Sequence, residues 1–438
     1  MIYQDVKWIR THGAKLAPSL RKHILAWYRP ASFTPCFINN LYTNIIQKWR
    51  KIPVIVQLDD SAPSTLSLQS ISQTTGCKVQ KDLSLLHAFS TKVDRKTLQA
   101  LAEDPKVVRI WYDEEIHAVL DTASPTVQAA SGWEEGVTGK DVTIAIIDTG
   151  VYNHADLAGR IVGFVDLVGS KQQPYDDNGH GTHVAGCAAA NGKQSAGKYK
   201  APAPEANIVG VKVLSKTGSG SLSTVIQGVQ WCIDNQARYK IRILNLSLGS
   251  ETYQSYQDDP VGLAVAKAWD SGLIVCVAAG NSGPEARTVN SPGNHPKVLT
   301  VGALDDGNTS DNDDDQIAGF SSRGPTADEL NKPDVVAPGV NIIALRSPGA
   351  YLDKQNKKAR IEIDYLSLSG TSMATPVCAG AIAVLLEKDP TLTPERVKQL
   401  LQATATRLPE YGDNDQGSGL INLQRALQEL NPPLAKTE

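Results

Sequence analysis

The chain has 438 residues, too many for one ordinary domain and enough for a large buried core. Charged residues make up 20% of it and the formal net charge is −3, which argues against a nucleic-acid binder as a whole. No run of about 18 apolar residues occurs, so no transmembrane helix is expected.

Residues 1–51 read as a basic, aromatic N-terminal extension. Lys7, Arg10, Lys15, Arg21, Lys22, Arg29, Lys48, Arg50 and Lys51 face a single acid, Asp5, and are interleaved with Trp8, Trp27, Tyr28, Phe33, Phe37, Tyr42 and Trp49. Such a segment suits an anionic membrane surface or nucleic acid. The plainer reading is that its apolar side packs on the rest of the protein while its charges stay solvated. The first ten residues lack the uninterrupted apolar stretch of a secretory signal. The six cysteines form no Cys-x-x-Cys pair, so neither zinc site nor redox pair is suggested. Both features predict a cytoplasmic setting.

Residues 52–120 form a compact α+β pattern. Val54, Ile55, Val56 and Leu58 mark a strand, and residues 65–74 are weakly helical. Residues 96–105 read as a helix stopped by Pro105, and residues 107–112 as another strand. From residue 121 to 430 apolar strands alternate with helical patterns, at 161–165, 207–213, 241–247, 273–278 and 298–303. This is the rhythm of a doubly wound, mainly parallel sheet whose strands are covered on both faces. Residues 431–438 are a tail.

Three separated segments carry the chemistry. Residues 142–148 run apolar into Asp148, followed by Thr149 and Gly150. Residues 178–186 read Asn-Gly-His-Gly-Thr-His-Val-Ala-Gly, with His180 and His183. Residues 369–376 read Ser-Gly-Thr-Ser-Met-Ala-Thr-Pro, with Ser372. A serine hydroxyl needs a histidine to take its proton, and that histidine needs a carboxylate to fix its tautomer. Taken singly, each segment has a plainer reading. An acid at a strand end is common, two histidines suggest zinc, and a serine before a helix is usually a cap. The histidines here sit three apart and lack the glutamate of the zinc-peptidase motif.

Together, in the order Asp, His, Ser, the three segments resemble the signature motifs of the subtilase family of serine proteases. The resemblance covers about residues 136–426 and is nearest to the intracellular alkaline serine proteases of bacilli. It implies a subtilisin-like α/β fold preceded by a small ferredoxin-like α+β prodomain. It implies a serine endopeptidase of broad specificity, with Ser372 as nucleophile, His180 as base and Asp148 as its orienter. The choice of His180 over His183 rests on the resemblance, which leaves His183 a structural role. Asn281, after the strand ending in Ala278 and Ala279, matches the side chain that binds the oxyanion; alone, it reads as a turn residue. Gly218, Ser219 and Gly220, and Ser247, Leu248 and Gly249, match the segments that pair with an extended substrate. Asn290 matches the floor of the primary specificity pocket.

No cofactor is implied for the chemistry. Calcium is implied for stability in many members, and Asp156 matches one ligand, although Lys193, Lys198 and Lys200 stand in its companion loop. Asp305 opens an acidic run to Asp315 that suits calcium or a solvated loop. Residues 52–120 are expected to inhibit the enzyme, with residues 111–120 threading the cleft and a cut between His117 and Thr122. A peptide-binding pseudoenzyme is the opposing reading, but such proteins usually lose a triad member and none is missing. A sedolisin would carry Glu in place of His180.

Overall fold

The computed structural model describes residues 7–17, 20, 21, 24, 51–59, 71–113, 115–118, 126–307 and 315–430. Most of the aromatic extension, most of the expected helix at 65–74, residues 119–122 and residues 308–314 lie outside them. The chain divides into two compact units, Met1–Glu114 with Ser221–Ile226, and Glu115–Gly220 with Gln227–Glu438.

In the first unit, α1 (Lys7–Thr11) precedes β1 (Ile52–Leu58), β2 (Lys81–Leu83), β3 (Ala88–Val93), α2 (Arg95–Glu103) and β4 (Val107–Tyr112). The strands form an antiparallel sheet in the order β2-β3-β1-β4, with residues 71–75 helical between β1 and β2. This is the split βαβ arrangement expected from the sequence. Asp94 caps α2 by accepting from the Thr97 amide at 2.9 Å. Its buried face, Leu98, Leu101 and Ala102, meets Val54, Val56 and Phe89 of the sheet in one core.

The N-terminal residues join that core. Trp8, Ile9, Leu16, Leu20 and Ile24 are buried in it. Leu16 pairs with Ile110, and the Ile110 amide donates to Lys15 O at 2.7 Å, so residues 15–17 cover the exposed edge of β4. Asp113 accepts hydrogen bonds from the Ser223 amide at 2.9 Å and hydroxyl at 2.7 Å, which ties Ser221–Ile226 to this unit.

The second unit opens with β5 (Glu115–Ala118), then β6 (Thr143–Asp148), β7 (Ile161–Asp166), α3 (His180–Ala189), β8 (Asn207–Lys212) and β9 (Ser219–Ser221). There follow α4 (Leu222–Asp234, whose residues up to Ile226 belong to the first unit), β10 (Ile241–Leu246), β11 (Leu248–Gly249), α5 (Pro260–Asp270), β12 (Ile274–Ala278) and β13 (Leu299–Asp305). The last part holds β14 (Gln316–Ile317), β15 (Val335–Pro338), β16 (Ile342–Leu345), α6 (Tyr351–Gln355), β17 (Arg360–Ile361), β18 (Tyr365–Leu368), α7 (Thr371–Lys388) and α8 (Pro394–Thr404). The main sheet runs β14-β13-β12-β10-β6-β8-β7, with β15 also on β13, and only β14 is antiparallel. Strands β6, β8, β10 and β12 are almost wholly buried, as their unbroken apolar sequences predict. The chain leaves β6 to build β7 and β8 on one side and returns to build β10 on the other. The switch point therefore lies between the ends of β6 and β10, where such sheets place their ligands. A second small sheet, β16-β18-β17, was not legible in the local pattern.

Candidate active site

Asp148 is the last residue of β6 and is fully buried. His180 is the first residue of α3, and its Nδ1 lies 2.8 Å from Asp148 Oδ1 and 2.9 Å from Oδ2. Gly181 makes this approach possible. A Cβ there would lie 2.2 Å from Gly150 O and 3.1 Å from Asp148 Cβ, so any side chain would push the helix off the acid. The Thr149 amide donates to Asp148 Oδ1 at 2.7 Å and fixes the carboxylate.

The start of α3 is held by groups that sequence reasoning missed. Asp176 is buried, and its Oδ1 accepts from the amides of Asn178 and Gly179 at 3.0 and 2.8 Å. Its Oδ2 accepts from the Thr182 amide at 2.9 Å and hydroxyl at 2.7 Å. A carboxylate here satisfies amides that the first helical turn leaves unpaired and favours the positive end of the helix dipole. An acid shortly before a helix start was the available signal. Lys212, also buried, donates to Asp177 Oδ1 at 2.8 Å and to Thr149 O at 2.6 Å.

His183 turns away from this site. Its Nε2 pairs with Leu366 O at 2.9 Å, and Cys187 Sγ lies 3.5 Å from its Nδ1. Burial pushes this imidazole down to about 3, against the Leu366 hydrogen bond and with help from the nearby His180. An unfolded chain protonates the same ring near 6.5, so below that pH the unfolded state binds the extra proton. Stability should therefore fall as the pH drops from 6.5 towards 3, by at most about 1.4 kcal/mol per pH unit, and be indifferent to this group above 6.5. His183→Gln should flatten the dependence of melting temperature on pH between 6 and 4; an unchanged slope would contradict the assignment.

Ser372 is the second residue of α7 and is fully buried. Its Oγ donates to Ser247 O at 3.2 Å, just past the end of β10. Pro376 lies four residues on and has no amide for Ser372 O. The Ser247 hydroxyl replaces it, donating to Ser372 O at 2.6 Å, and Asn245 Nδ2 donates to Ser247 Oγ at 2.9 Å. Asn281 lies beyond β12. Its Oδ1 accepts from the Thr371 amide at 2.9 Å and hydroxyl at 3.0 Å, which settles the carboxamide's orientation and turns Nδ2 the other way.

The segments expected to pair with substrate are brought together. β5 lies between β11 and β9 in a three-stranded sheet, with Ala118 opposite Leu248 and His117 opposite Gly249. Ser219 and Gly220 thus flank one side of that strand and Leu248 and Gly249 the other, with Gly218 and Ser247 their chain neighbours. Asn290 is buried beside both Gly249 and Gly280; a Cβ on Gly280 would lie 2.6 Å from its Cγ. Its Oδ1 has no hydrogen-bond partner among the described residues.

The candidate metal positions are apart from these. Asp156 is buried, and both carboxylate oxygens are already engaged: Oδ1 by the Gln194 amide at 2.9 Å and Oδ2 by the Tyr365 hydroxyl at 2.7 Å. Its carbonyl accepts from Arg160. A guanidinium and a phenol beside the acid do not fit an oxygen cage for Ca²⁺. Asp305 ends β13 and accepts from the Gly307 amide at 3.2 Å. Among the described residues no three His, Cys, Asp or Glu side chains are arranged to hold a metal.

Comparison with known proteins agrees with this geometry. A sequence model of the Subtilase family matches residues 139–419. The chain is 43% identical to serine protease AprX of Bacillus subtilis (strain 168), over 97% of this chain and 99% of that protein. It is 36% identical to subtilisin E of the same organism, over 84% of this chain and 88% of the other. The crystal structure of fervidolysin from Fervidobacterium pennivorans, a keratinolytic enzyme related to subtilisin, superposes with a TM-score of 0.69 at 26% identity. That match covers 86% of this chain and 61% of the fervidolysin chain. An Asp-His pair at the switch point, a serine at the head of the buried helix and these likenesses lead to one conclusion: the chain belongs to the subtilase family and is a subtilisin-like serine peptidase.

Proposed function

We propose that the protein is an endopeptidase of broad specificity that cleaves extended protein segments through an acyl-enzyme. The observation that carries this reading is β5, an extended segment paired on both sides by β11 and β9, with Ser247, the residue before β11, accepting from Ser372 Oγ. Backbone pairing of that kind holds a peptide whatever its side chains. Ser372 attacks the scissile carbonyl and His180 takes its proton, then returns it to the leaving amine. Asp148 keeps Nδ1 as the donor and stabilises the imidazolium. Asn281 Nδ2 and the Ser372 amide, near the positive end of α7, receive the oxyanion. Activity should rise from roughly pH 6 to pH 8 as the base loses its proton.

The segment occupying that position belongs to the chain itself, which supports a zymogen restrained by its N-terminal region. β5 ends at Ala118, opposite Leu248, and the carbonyl of the preceding Ser247 accepts from Ser372 Oγ at 3.2 Å. Residues 119–122 lie outside the described residues. Self-cleavage is expected between His117 and Thr122, and a fragment of residues 1–119 should inhibit the processed enzyme when added back. Terminal sequencing and inhibition assays check this. A fragment that does not inhibit, with an uncut chain already fully active, would make the N-terminal region a permanent accessory domain.

The hydrogen bonds at Asp156 support stability without calcium at that position. Melting temperature should be unchanged by excess EDTA or by millimolar CaCl₂. Tyr365→Phe should lower stability by about 1–3 kcal/mol, since it strands a buried carboxylate oxygen. A large fall in melting temperature with EDTA would restore the calcium reading. The five described cysteines, Cys77, Cys187, Cys232, Cys276 and Cys378, are free thiols, which supports a cytoplasmic location. Among the described residues no helix is long and apolar enough to cross a membrane.

A further inference from the structure

Between β16 and β18 the chain makes an excursion, residues 346–364, that contains α6 and β17. It meets the loop leading into His180 at three successive carbonyls. The Ser347 hydroxyl donates to Asp176 O at 2.8 Å, the Tyr351 amide to Asp177 O at 2.9 Å, and the Leu352 amide to Asn178 O at 2.8 Å. Ala350 and Leu352 also lie over Gly179, whose φ of +103° favours glycine there. On its other face this loop holds the start of α3: Asn178 Oδ1 accepts from the His180 amide at 3.1 Å. The excursion and α3 thus both engage Asp176 and Asn178, the excursion at their carbonyls and α3 at their side chains.

α6 has only five residues and would not hold its shape alone. A single acid fixes it. Asp353 is 2% exposed and accepts from Arg346 Nε at 2.6 Å, Arg346 Nη2 at 3.1 Å, Arg360 Nε at 2.6 Å and the Gly349 amide at 2.8 Å. Arg360 Nη2 returns to Asp353 O at 2.9 Å, and Arg346 Nη1 reaches Ile363 O at 2.5 Å. Both ends of the excursion are therefore clamped on one carboxylate. Burial alone would raise its pKa. The Arg346 hydrogen bonds, then Gly349 and Arg360, outweigh that and hold it at about 2, so it is ionised wherever the enzyme works.

We propose that this excursion is a brace that positions the catalytic base, with Asp353 as its hub and the Tyr351 amide as its principal contact. This rests on the reading of His180 as base. Neither Asp353 nor Tyr351 touches substrate; both are positioning residues acting through Asp177 and Asn178. Their loss should reduce turnover because small displacements of a catalytic group cost far more in rate than in stability.

Tyr351 provides the cleanest test. It is the first residue of α6, where proline is tolerated, and Ala350 before it already has the extended backbone (φ −66°, ψ 170°) that a following proline needs. Tyr351→Pro deletes the one amide, and Tyr351→Ala controls for the lost side chain. Full-length chains carrying either change, with Asp353→Asn, Asp353→Glu and His180→Ala, would be compared on a peptide substrate well below their melting temperatures. Relative to Tyr351→Ala, Tyr351→Pro should lower kcat about tenfold with KM within twofold. Asp353→Asn should do the same and move the acid limb of the pH profile downwards, because a loosened imidazolium loses some of its contact with Asp148. Asp353→Glu should recover part of kcat. Equal kcat for the Pro and Ala variants, or an Asp353→Asn enzyme that melts earlier but keeps its kcat and pH profile, would overturn the brace. Full activity in His180→Ala would instead overturn the assignment of the base.

Discussion

Ser372→Ala is expected to lower kcat by about 10⁶, the scale on which subtilisin, a relative, loses rate when its serine is removed. The fold should survive, because the hydroxyl's hydrogen bond to Ser247 O, at 3.2 Å, is a long one. The backbone contact that matters there, Ser247 Oγ to Ser372 O, is untouched. The cost in stability should be about 1 kcal/mol or less. His180→Ala should be nearly as damaging, and combining the two should add little, since the groups act as one unit. The same Ser372→Ala chain should accumulate uncut. Steady-state kinetics with a chromogenic peptide, with thermal melts beside them, read both outcomes. Turnover within tenfold of the parent would remove Ser372 from the mechanism.

Asn281→Ala should cost about 10²–10³ in kcat, or about 3–4 kcal/mol of transition-state stabilisation, with KM little changed. With Oδ1 accepting from the amide and hydroxyl of Thr371, the carboxamide is held in one orientation, with Nδ2 as its donor end. A donor fixed before the reaction costs no reorganisation when the oxyanion forms. Substitution also leaves the Thr371 amide without this acceptor at the head of α7, so a stability loss of about 1 kcal/mol should accompany the rate effect. Thr371→Val would then act on kcat through Asn281 more weakly than Asn281→Ala does. Proportional increases in KM with unchanged kcat would instead make Asn281 a ground-state binding residue.

Much of this was legible in the chain. The parallel strands announced themselves because both faces of β6, β8, β10 and β12 are covered, which leaves unbroken apolar runs. Asp148 stands out as the acid that ends one such run, and His180 and Ser372 as polar residues set among glycines at helix starts. Choosing between His180 and His183 was beyond local pattern. Both are buried one turn apart, and only the fold turns one ring to Asp148 and the other to Leu366. The corner around Asp156 was illegible for a related reason. Its partner Tyr365 lies 209 residues away, so no local pattern could show that hydrogen bond. For residues 7–24 the plainer reading, an apolar side packed on the rest of the protein, agrees with the burial of Trp8, Ile9, Leu16, Leu20 and Ile24, but which residues they meet, in a core shared with residues 52–110, no local pattern could show. The brace on His180 left no trace at all, since a lone Asp353 followed by Lys354, Lys357 and Lys358 reads as surface until two arginines close on it.

Labelling the active protein with a serine-reactive peptide phosphonate, followed by mass mapping of the adduct, tests the central claim most directly. The account predicts one adduct per chain on Ser372, abolished in His180→Ala and blocked by added residues 1–119. An adduct on another serine, or active enzyme that takes up no label, would contradict it.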